Sequence, residues 1–524
     1  MTDTLHNLVN ALQQPALFPH PVTRFAVIET HISIVLLTGA YAYKFKKPVN
    51  FGFLDFSTLA RRKHFCEEEL RLNRRLAPEL YLEVMPVSTG PKLGGDGEVI
   101  EYAVRMREFE QASQFDRMLD AGQLAPAHID ALGLRIAKFH ASATIAEPDS
   151  TYGTPLSIQT PVDENFDQIL DCIRESQEQL QLRSLRSWTD ETFRKQQSTL
   201  QARKDDGFIR ECHGDLHLRN IALVNDAPVA FDCIEFNDNL RWIDIISEVA
   251  FMVMDLDHRG QAGLASRFLN VWLEQSGDYA GVSLLRYYLV YRAMVRAKVD
   301  CLRTHQADID AATHGTIRKE YRAYLALAER YTRPPPPVLL LMHGLSGSGK
   351  TRVSQSLLEN LSAIRVRSDI ERKRLYGLAT DTQTDSDIDQ GIYDRTASER
   401  TYQHLESLTR TLLDAGYPVI VDATFLQQAR LVSFIEQANT CSIRCFIIDC
   451  QAPESELRAR IKARKHARQD ASEADIDVLE NQLSHYQPLE ASIAGANVIV
   501  THSDTLAISR LLETLRSLGV SVLQ

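Results

Sequence analysis

Residues 344–351 of this chain read GLSGSGKT and complete the pattern G-x-x-x-x-G-K-[ST]. An apolar run, residues 338–342, precedes this segment. The apolar residues that follow it fall on one helical face, and they are Val353, Leu357, Leu358 and Leu361. A buried strand, a glycine-rich turn and an amphipathic helix in direct succession predict a loop that binds phosphate at the end of a sheet strand.

Glycines in such a loop let the backbone N–H groups curl around phosphate oxygens, and the following helix adds the positive end of its dipole. The residues expected to contact a nucleotide are Gly344, Ser346, Gly347, Ser348, Gly349, Lys350 and Thr351. Lys350 would reach the β- and γ-phosphates, and the hydroxyl of Thr351 would bind Mg²⁺. The sequence therefore predicts ATP and Mg²⁺ as cofactors of this site.

Composition limits the class of protein. A chain of 524 residues with 44% apolar side chains is too long for one core and predicts several domains. Its 58 basic and 69 acidic residues give a net charge of −11, which offers no whole-chain attraction to nucleic acid or to a membrane surface. We find no membrane span and no signal peptide, and we expect a cytoplasmic location. The eight cysteines form no C-x-x-C pair and indicate neither a disulfide framework nor a zinc site.

Four consecutive prolines, residues 334–337, form a semi-rigid spacer immediately before the loop-bearing strand. Downstream of them, strand-like runs alternate with amphipathic helices. The predicted strands are residues 363–366, 418–422, 443–449 and 497–500. We therefore expect an α/β P-loop NTPase domain with a parallel sheet over residues 338–524.

Upstream of the prolines, strand patterns are frequent as far as about residue 110, and helical periodicity dominates over residues 111–333. Such an uneven division predicts an α+β domain of two lobes with a cleft between them. The expected domain covers residues 1–333, with the prolines as its linker to the second domain.

A second group of polar residues lies in the segment CHGDLHLRN, residues 212–220, and in AFDCIEF, residues 230–236. Asp215 stands five residues before Asn220, and Asp232 follows Asn220 by twelve residues at the end of an apolar run. Mg²⁺ prefers oxygen ligands from one or two side chains plus phosphate. Asn220 and Asp232 can therefore hold the metal while Asp215 faces an acceptor hydroxyl, as phosphoryl transfer requires.

These residues resemble the aminoglycoside phosphotransferase and choline kinase branch of the protein-kinase-like superfamily, whose catalytic loop reads H-G-D-x-H-x-x-N. The resemblance spans most of residues 25–330. It implies a two-lobed protein-kinase-like fold, Asp215 as the catalytic aspartate, and Asn220 and Asp232 as metal ligands. It also implies a small hydroxylated molecule, rather than a protein, as the acceptor.

The same superfamily uses a strand lysine to hold the α- and β-phosphates and a helix glutamate to orient that lysine. Lys44 and Glu69 are the first choices, while Lys46 shares the strand face with Lys44, and Glu67 and Glu68 are neighbours of Glu69. Residues 106–109 are expected to form the adenine edge. The hairpin at residues 31–39, where protein kinases have a glycine-rich loop, has only one glycine.

The C-terminal domain resembles the P-loop small-molecule and polynucleotide kinases, a group that includes gluconate kinases and zeta toxins. Its second strand ends before Asp369, Arg372 comes one helical turn later, and a further apolar strand ends in Asp422. The resemblance implies Asp369 as the base for the acceptor hydroxyl, and Asp422 beside the metal or its waters. It also implies Arg372 and Arg430 as contacts to the acceptor or its phosphate.

Arg460 and Arg464 are expected to share one face of a helix, at the place where related kinases carry a lid over the phosphates. Both are predicted to contact the nucleotide. The alternative is a solvated basic face that pairs with Glu454 and Glu456.

The chain as a whole resembles bacterial proteins named as bifunctional aminoglycoside phosphotransferase and ATP-binding proteins. The leading hypothesis is a kinase, an enzyme that moves γ-phosphoryl groups from Mg·ATP to hydroxyls of small molecules in both domains. Two alternatives stay open: one domain is a nucleotide sensor for the other, or the C-terminal domain phosphorylates a nucleic acid 5′-hydroxyl.

Overall fold

The computed structural model describes residues 2–52, 54–305, 310–380, 382, 392, 394–467, 475–486 and 488–523. Contacts between residues divide the chain into two compact units. The first unit comprises Met1–Glu164 and Phe193–Met252, and the second comprises Asn165–Thr192 and Val253–Gln524. These boundaries differ from the proline segment, and the division into domains at residues 334–337 stays a prediction.

The first unit begins with helix α1 (Thr2–Ala11) and a six-stranded sheet. The strands of this sheet are β1 (Ala26–Glu29), β2 (Ser33–Leu37), β3 (Tyr41–Lys46), β4 (Tyr81–Ser88), β5 (Lys92–Leu93) and β6 (Val99–Arg107). Their order is β1-β2-β3-β6-β4-β5, and every neighbouring pair is antiparallel. Helix α2 (Leu59–Asn73) packs against β4 and β6.

Side chains alternate along β3, as they must on a pleated strand. Tyr43 and Phe45 are fully buried in a core that they share with α1. Lys44 and Lys46 therefore project from the opposite face of the strand, where both contact Glu69 of α2.

The rest of the first unit is mostly helical. Its remaining elements, some of which continue into the second unit, are α3 (Phe115–Asp120), α4 (Pro126–Ser142), α5 (Pro155–Cys172), α6 (Ser176–Asp205), β7 (Ile209–Glu211), β8 (Ile221–Val224), β9 (Ala227–Ala230), β10 (Trp242–Asp244) and α7 (Ile245–His258). Strands β7 and β10 form one antiparallel pair, and β8 and β9 form another.

The β8–β9 hairpin explains how two distant polar residues meet. Asn225 and Asp226 link the two strands with φ angles of 50° and 60°, a conformation that asparagine and aspartate tolerate in two-residue hairpin turns. Asn220 directly precedes β8 and Asp232 closely follows β9. The hairpin therefore brings both side chains to the same end of the two strands.

The second unit contains a parallel sheet with helices around it. Its strands are β11 (Val338–His343), β12 (Ile364–Arg367), β13 (Val419–Asp422), β14 (Arg444–Cys450), β15 (Ser492–Ile493) and β16 (Ala496–Thr501), and the order is β12-β13-β11-β14-β16-β15. All neighbours are parallel except the β15–β16 pair at the edge. The helices are α8 (Ala262–Ser276), α9 (Val282–Arg303), α10 (Ala311–Thr332), α11 (Lys350–Leu361), α12 (Ser368–Leu375), α13 (Arg395–Asp414), α14 (Gln428–Thr440), α15 (Glu454–Ala467), α16 (Ile476–His485) and α17 (Thr505–Ser517).

The predicted fold class is confirmed in its main features: an α+β N-terminal part and an α/β C-terminal part with a mostly parallel sheet. The four strands predicted downstream of the phosphate loop are β12, β13, β14 and β16, with ends that differ by one residue or so. The short antiparallel strand β15 was not predicted. Among the residues that the structure describes, no helix is long and apolar enough to cross a lipid bilayer.

Candidate functional site

Five charged side chains meet on the face of the N-terminal sheet from which Lys44 and Lys46 project. The Lys44 ammonium nitrogen lies 2.7 Å from Glu69 Oε1 and 2.5 Å from Asp232 Oδ1. Lys46 lies 2.7 Å from the other oxygen of Glu69, and it also bonds to the buried carboxylate of Glu235. Both lysines thus meet the same glutamate, but only Lys44 contacts Asp232 in the part of the chain that the structure describes.

Glu69 is fully buried and yet remains a carboxylate. Burial by itself would raise its pKa, but the two ammonium groups of Lys44 and Lys46 outweigh burial and lower the pKa to about 2. The other two candidates lie elsewhere: Glu67 faces Lys63 at 3.6 Å, and Glu68 pairs with Arg71. Of the three glutamates, Glu69 is therefore the one whose carboxylate contacts both strand lysines, and its role in orienting Lys44 stays a prediction.

The catalytic-loop candidate is anchored from behind by Glu248 on α7. One oxygen of this carboxylate accepts the backbone N–H groups of His213 and Gly214 at 2.6 and 2.8 Å. The other oxygen lies 2.6 Å from His140 Nε2. Burial opposes ionisation of Glu248, but these partners, with His140 first among them, lower its pKa to about 2.

His213 connects the two segments that carry the candidate acids. Its Nε2 lies 2.8 Å from the carbonyl oxygen of Phe231, and its Nδ1 lies 3.3 Å from the backbone N–H of Asp215. A carbonyl only accepts and an N–H only donates, so the ring carries its proton on Nε2. Burial lowers the pKa of His213, which favours this neutral form. The imidazole thus links the backbone of Asp215 to that of Phe231, the residue directly before Asp232.

The predicted acids and metal ligands lie together. Asn220 donates from Nδ2 to both the backbone oxygen and Oδ2 of Asp215, each at 3.0 Å. His217 Nε2 lies 3.2 Å from the same carboxylate. Asp232 adopts a φ of 63°, the left-handed region that side chains rarely adopt, and its N–H donates to the hydroxyl of Tyr81. The Asp232 carboxylate in turn accepts a hydrogen bond from Lys44.

A cavity of about 260 Å³ opens beside these groups. Lys44, Asn220 and Asp232 line one part of it, and residues 106–109, the predicted adenine edge, line another. Apolar side chains supply much of the remaining wall, and among them are Val35, Leu37, Ala42, Leu80 and Phe231. A flat aromatic base with a charged tail matches this division into apolar and polar walls.

The turn between β1 and β2 borders the same cavity and contains no glycine. Side-chain hydrogen bonds shape this turn: the Thr30 hydroxyl oxygen accepts the Ser33 N–H at 3.0 Å and lies 2.8 Å from the Ser33 hydroxyl. Gly39 lies instead in the next turn, where its N–H donates to Glu108 at 2.8 Å. The hairpin over the cavity is therefore held by Thr30 and Ser33 rather than by glycine flexibility.

The phosphate loop lies at the carboxyl end of β11. A side chain at Gly344 would place its Cβ 2.4 Å from the carbonyl oxygen of Cys450, and one at Gly349 would lie 2.4 Å from Ser503. Both glycines have φ angles in the left-handed region, 134° and 95°. Lys350 Nζ contacts the carbonyl oxygens of Gly344 and Leu345 at 2.9 and 3.0 Å. The loop backbone is thus fixed in a form that only glycine permits at these two positions.

Two side chains, one from α15 and one from α16, also contact the loop. Arg460 on α15 donates to the carbonyl oxygens of Gly347 and Ser348 at 3.2 and 3.3 Å, and it pairs with Glu456. Gln482 on α16 accepts the N–H of Ser346 at 2.8 Å. Arg464 belongs to α15, but its side chain lies outside the described residues. Arg460 therefore contacts the loop itself, and its predicted contact to a nucleotide stays a prediction.

A chain of buried hydrogen bonds supports Asp422 at the end of β13. The hydroxyl of Ser354 lies 2.9 Å from Asp422 Oδ2, and Arg365 Nη1 lies 3.2 Å from that hydroxyl. Arg365 in turn pairs with Glu274 of α8 at 2.7 Å. Asp422 and Thr351 are thus positioned on either side of Ser354, whose hydroxyl also lies 3.1 Å from the Thr351 carbonyl oxygen.

The three residues predicted to act on an acceptor in the C-terminal part are Asp369, Arg372 and Arg430, and the two arginines contact other protein groups. Asp369 lies in the first turn of α12 and is partly exposed. Arg372 donates to the carbonyl oxygen of Ile392 at 2.9 Å. Arg430 stacks on the ring of Tyr402 at 3.9 Å. Both arginines thus have protein partners, and their proposed contacts to an acceptor stay predictions.

Comparisons with known proteins agree with this division of sites. Residues 53–285 match a family model described as "Phosphotransferase enzyme family", and residues 339–489 match a model described as "AAA domain". The uncharacterized protein Rv2004c of Mycobacterium tuberculosis is 32% identical over 459 residues, which cover 86% of this chain and 89% of that protein. The uncharacterized protein Mb2027c of Mycobacterium bovis matches to the same extent. This chain belongs to their family.

Within this family the chain combines a kinase-like phosphotransferase domain and a P-loop kinase-like domain. Solved structures that align with it include a choline/ethanolamine kinase family protein from Mesorhizobium loti, at 10% identity and a TM-score of 0.41, over 63% of this chain and 95% of that one. A gluconokinase from Sinorhizobium meliloti 1021 aligns at 18% identity and a TM-score of 0.24, over 36% of this chain and 99% of that one. The two domains indicate a phosphotransferase with kinase-type chemistry.

The donor set of each domain fits ATP and Mg²⁺. In the phosphotransferase domain, Asn220 and Asp232 offer an amide oxygen and a carboxylate, the hard oxygen ligands that Mg²⁺ prefers. In the P-loop domain, the buried hydroxyl of Ser348 has no hydrogen-bond partner among the described residues, which suits a phosphate oxygen. Thr351 and Asp422 would hold the metal there.

Sequence reasoning missed several residues that organise the phosphotransferase domain. Glu248, His140 and Glu235 are all buried. Glu248 accepts hydrogen bonds from His213 and Gly214, His140 bonds to Glu248, and Glu235 bonds to Lys46. Glu248 follows His213 by 35 residues and stands in an apolar helix, where a charge is costly without partners. That isolated charge was the one signal that could have identified it.

The two lysines of β3 are expected to respond differently to substitution. Lys46→Met leaves the buried carboxylate of Glu235 without its cation, and we expect a loss of ~3–5 kcal/mol in unfolding free energy. Lys44→Met leaves Glu69 paired with Lys46, so the loss of stability should be smaller, whereas ATP affinity should fall by about tenfold or more. Urea unfolding and calorimetric titration with ATP would measure the two effects. A greater loss of stability for Lys44→Met than for Lys46→Met would contradict this assignment.

Proposed function

We propose that this protein is an ATP-dependent kinase that transfers the γ-phosphoryl group to hydroxyl groups of small molecules at two separate sites. The observation that carries the proposal is the convergence of Lys44, Asn220 and Asp232 on one cavity, with the Asp215 carboxylate hydrogen-bonded to Asn220. A cytoplasmic location, predicted from the sequence, is part of the same proposal.

In the phosphotransferase domain, Lys44 would bind the α- and β-phosphates and Glu69 would hold Lys44 in place. Asn220 and Asp232 would bind Mg²⁺, which when bound neutralises charge on the phosphates. Asp215 would accept the proton of the acceptor hydroxyl. Its carboxylate already receives a hydrogen bond from Asn220, so the base and one metal ligand are fixed relative to each other.

In the P-loop domain, the backbone N–H groups of residues 344–351 and Lys350 would hold the phosphates. Asp369 would act as the base for a second hydroxyl, with Asp422 and Thr351 at the metal. Arg460 touches the loop and would approach the phosphate from α15. The hydrogen bonds from Arg460 to the carbonyl oxygens of Gly347 and Ser348 support the role of Arg460 as an arginine that closes over the phosphates.

A second candidate function is that the P-loop domain senses a nucleotide without transferring phosphate. The contacts of Arg372 with Ile392 and of Arg430 with Tyr402 favour this alternative, since they occupy the side chains proposed for the acceptor. A third candidate, transfer to a nucleic acid 5′-hydroxyl, receives no support from the net charge of −11.

The test is a product screen. The protein would be incubated with Mg·ATP and a fractionated bacterial metabolite extract, beside Asp215→Ala and Lys350→Ala variants, and phosphorylated products would be detected by mass spectrometry. We expect one product to disappear in Asp215→Ala and a different one in Lys350→Ala. A single product that survives in Lys350→Ala would assign the P-loop domain to sensing, and no product at all in the native protein would contradict the proposal.

A further inference from the structure

Three potential metal ligands, none of which is assigned to either nucleotide, meet in the second unit. They are Cys172 at the end of α5, Cys301 near the end of α9, and His305 one helical turn after Cys301. One ligand atom from each residue lies within 4.8 Å of those of the other two. The two thiols are also hydrogen-bond partners. The fold thus joins cysteines that are far apart in the sequence.

The spacing suits a tetrahedral metal ion. Zn–S bonds of about 2.3 Å and Zn–N bonds of about 2.0 Å place two ligands roughly 3.5–3.8 Å apart. The observed separations are all within 4.8 Å, so they exceed this value by no more than about 1.3 Å. Cys301 is buried, Cys172 is partly exposed and His305 is exposed, so an ion can enter from the solvent side.

The surroundings of His305 resemble those of a metal ligand. Its Nδ1 lies 3.0 Å from the carbonyl oxygen of Cys301, which can only accept, so this bond places the ring proton on Nδ1. Nε2 is then left with a lone pair for a metal ion. A backbone carbonyl that fixes the tautomer in this way is the usual outer partner of a metal-binding histidine.

A buried polar group beside the three ligands also indicates a bound ion. The hydroxyl of Tyr321 is buried close to Cys301, and it has no hydrogen-bond partner among the described residues. Arg318, which also lies near Cys301, is paired with Glu175 and Glu178, so its charge is balanced. A bound ion with one water would give the tyrosine hydroxyl a partner.

We propose that Cys172, Cys301 and His305 form a binding site for a soft divalent cation such as Zn²⁺. Thiolate and imidazole bind Zn²⁺ well, whereas Mg²⁺ prefers oxygen ligands. The ligands of this site therefore differ in chemistry from those of the two nucleotide sites. Binding releases the two thiol protons to solvent, and a water molecule completes the tetrahedron. The ion joins the end of α5 to the end of α9. This inference does not depend on the proposed kinase activity.

Titration of the reduced, full-length protein with Co²⁺ tests the site. Co²⁺ binds to the same kinds of ligand as Zn²⁺, and its bonds to thiolate absorb in the near ultraviolet. Co²⁺ bound to oxygen ligands at the nucleotide sites gives no such absorption band. We expect the thiolate band to saturate at one Co²⁺ per chain and to vanish on addition of Zn²⁺. Zn²⁺ should also raise the thermal unfolding midpoint.

Four variants assign the band to residues. Cys172→Ser and Cys301→Ser should each remove most of it, and His305→Ala should weaken Co²⁺ affinity by at least about tenfold. Cys441→Ser, at an exposed cysteine, is the matched control and should leave the titration unchanged. His305 is exposed, so its variant keeps the proposal testable if a cysteine variant fails to fold. Absence of the thiolate band in the native protein, or unchanged affinity in His305→Ala, would overturn the proposal.

Discussion

Replacing Asp215 with asparagine is expected to lower the rate of phosphoryl transfer at the phosphotransferase domain by ~10²–10⁴-fold. This is the rate enhancement that a positioned general base usually contributes. Asparagine keeps the shape of the side chain but cannot accept the proton of the acceptor hydroxyl. The hydrogen bond from Asn220 reaches an oxygen atom that asparagine retains, so the local structure should survive. Turnover should therefore fall while ATP affinity changes little.

The measurement is a comparison of kcat and of the ATP dissociation constant, with the acceptor identified by the product screen. Asp226→Asn is a suitable control because Asp226 lies on the turn of the β8–β9 hairpin, with a φ of 60° that asparagine tolerates. The same chemical change there should leave both quantities unaltered. If Asp215→Asn retained kcat within a few-fold, Asp215 would not be the base.

Replacing Glu248 with alanine should lower the unfolding free energy by ~3–5 kcal/mol, as much as Lys46→Met. The carboxylate is fully buried and accepts hydrogen bonds from the backbone of His213 and Gly214, and it faces His140. Alanine would leave these donors unsatisfied in the core. Because the same donors belong to the catalytic loop, we also expect activity to fall in whatever fraction remains folded.

Glu248 should also make stability depend on pH. Its pKa is lowered to about 2 in the folded protein, below the ordinary value of 4.5. A carboxylate with a lowered pKa contributes its full stabilisation above pH 4.5, and this contribution is lost as the pH falls towards 2. Glu69 should contribute in the same direction, since its pKa is also lowered to about 2.

Urea unfolding at neutral and acidic pH would measure both effects. Glu248→Gln keeps one oxygen to accept the two backbone N–H groups, so its loss of stability should be smaller than that of the alanine variant. Glu67→Ala removes an exposed glutamate of α2 and should change little. A loss below about 1 kcal/mol for Glu248→Ala would mean that the loop does not depend on this anchor.

Local pattern was enough to predict the phosphate loop and its sheet. The glycines at Gly344 and Gly349, the apolar strand before them and the helix after them form one continuous segment, so each part could be recognised from its neighbours. The spacing of Asp215, Asn220 and Asp232 was equally readable, because the short β8–β9 hairpin returns the chain to its starting point within a few residues. Contacts of this kind depend on residues close in sequence.

The sequence alone left the lysine and its glutamate unresolved. A strand period of two places Lys44 and Lys46 on the same face, and three consecutive glutamates precede Leu70 on α2. Only the packing of α2 on the sheet decides that Glu69 meets both lysines and that Lys44 alone of the two reaches Asp232, among the described residues.

By itself, then, the sequence determined the fold of each part, the phosphate loop and the order of the catalytic-loop residues, because those depend on hydrophobic period and on short-range turns. The tertiary structure alone decided how Glu248 and His140 anchor that loop, and how Cys172 comes to lie beside Cys301. The two residues of each pair are separated by about a hundred residues or more in the sequence. Local sequence patterns do not predict contacts between residues so far apart. Their contacts depend on how the elements that carry them pack in the folded chain, which selects partners by shape and by the need to satisfy buried polar groups.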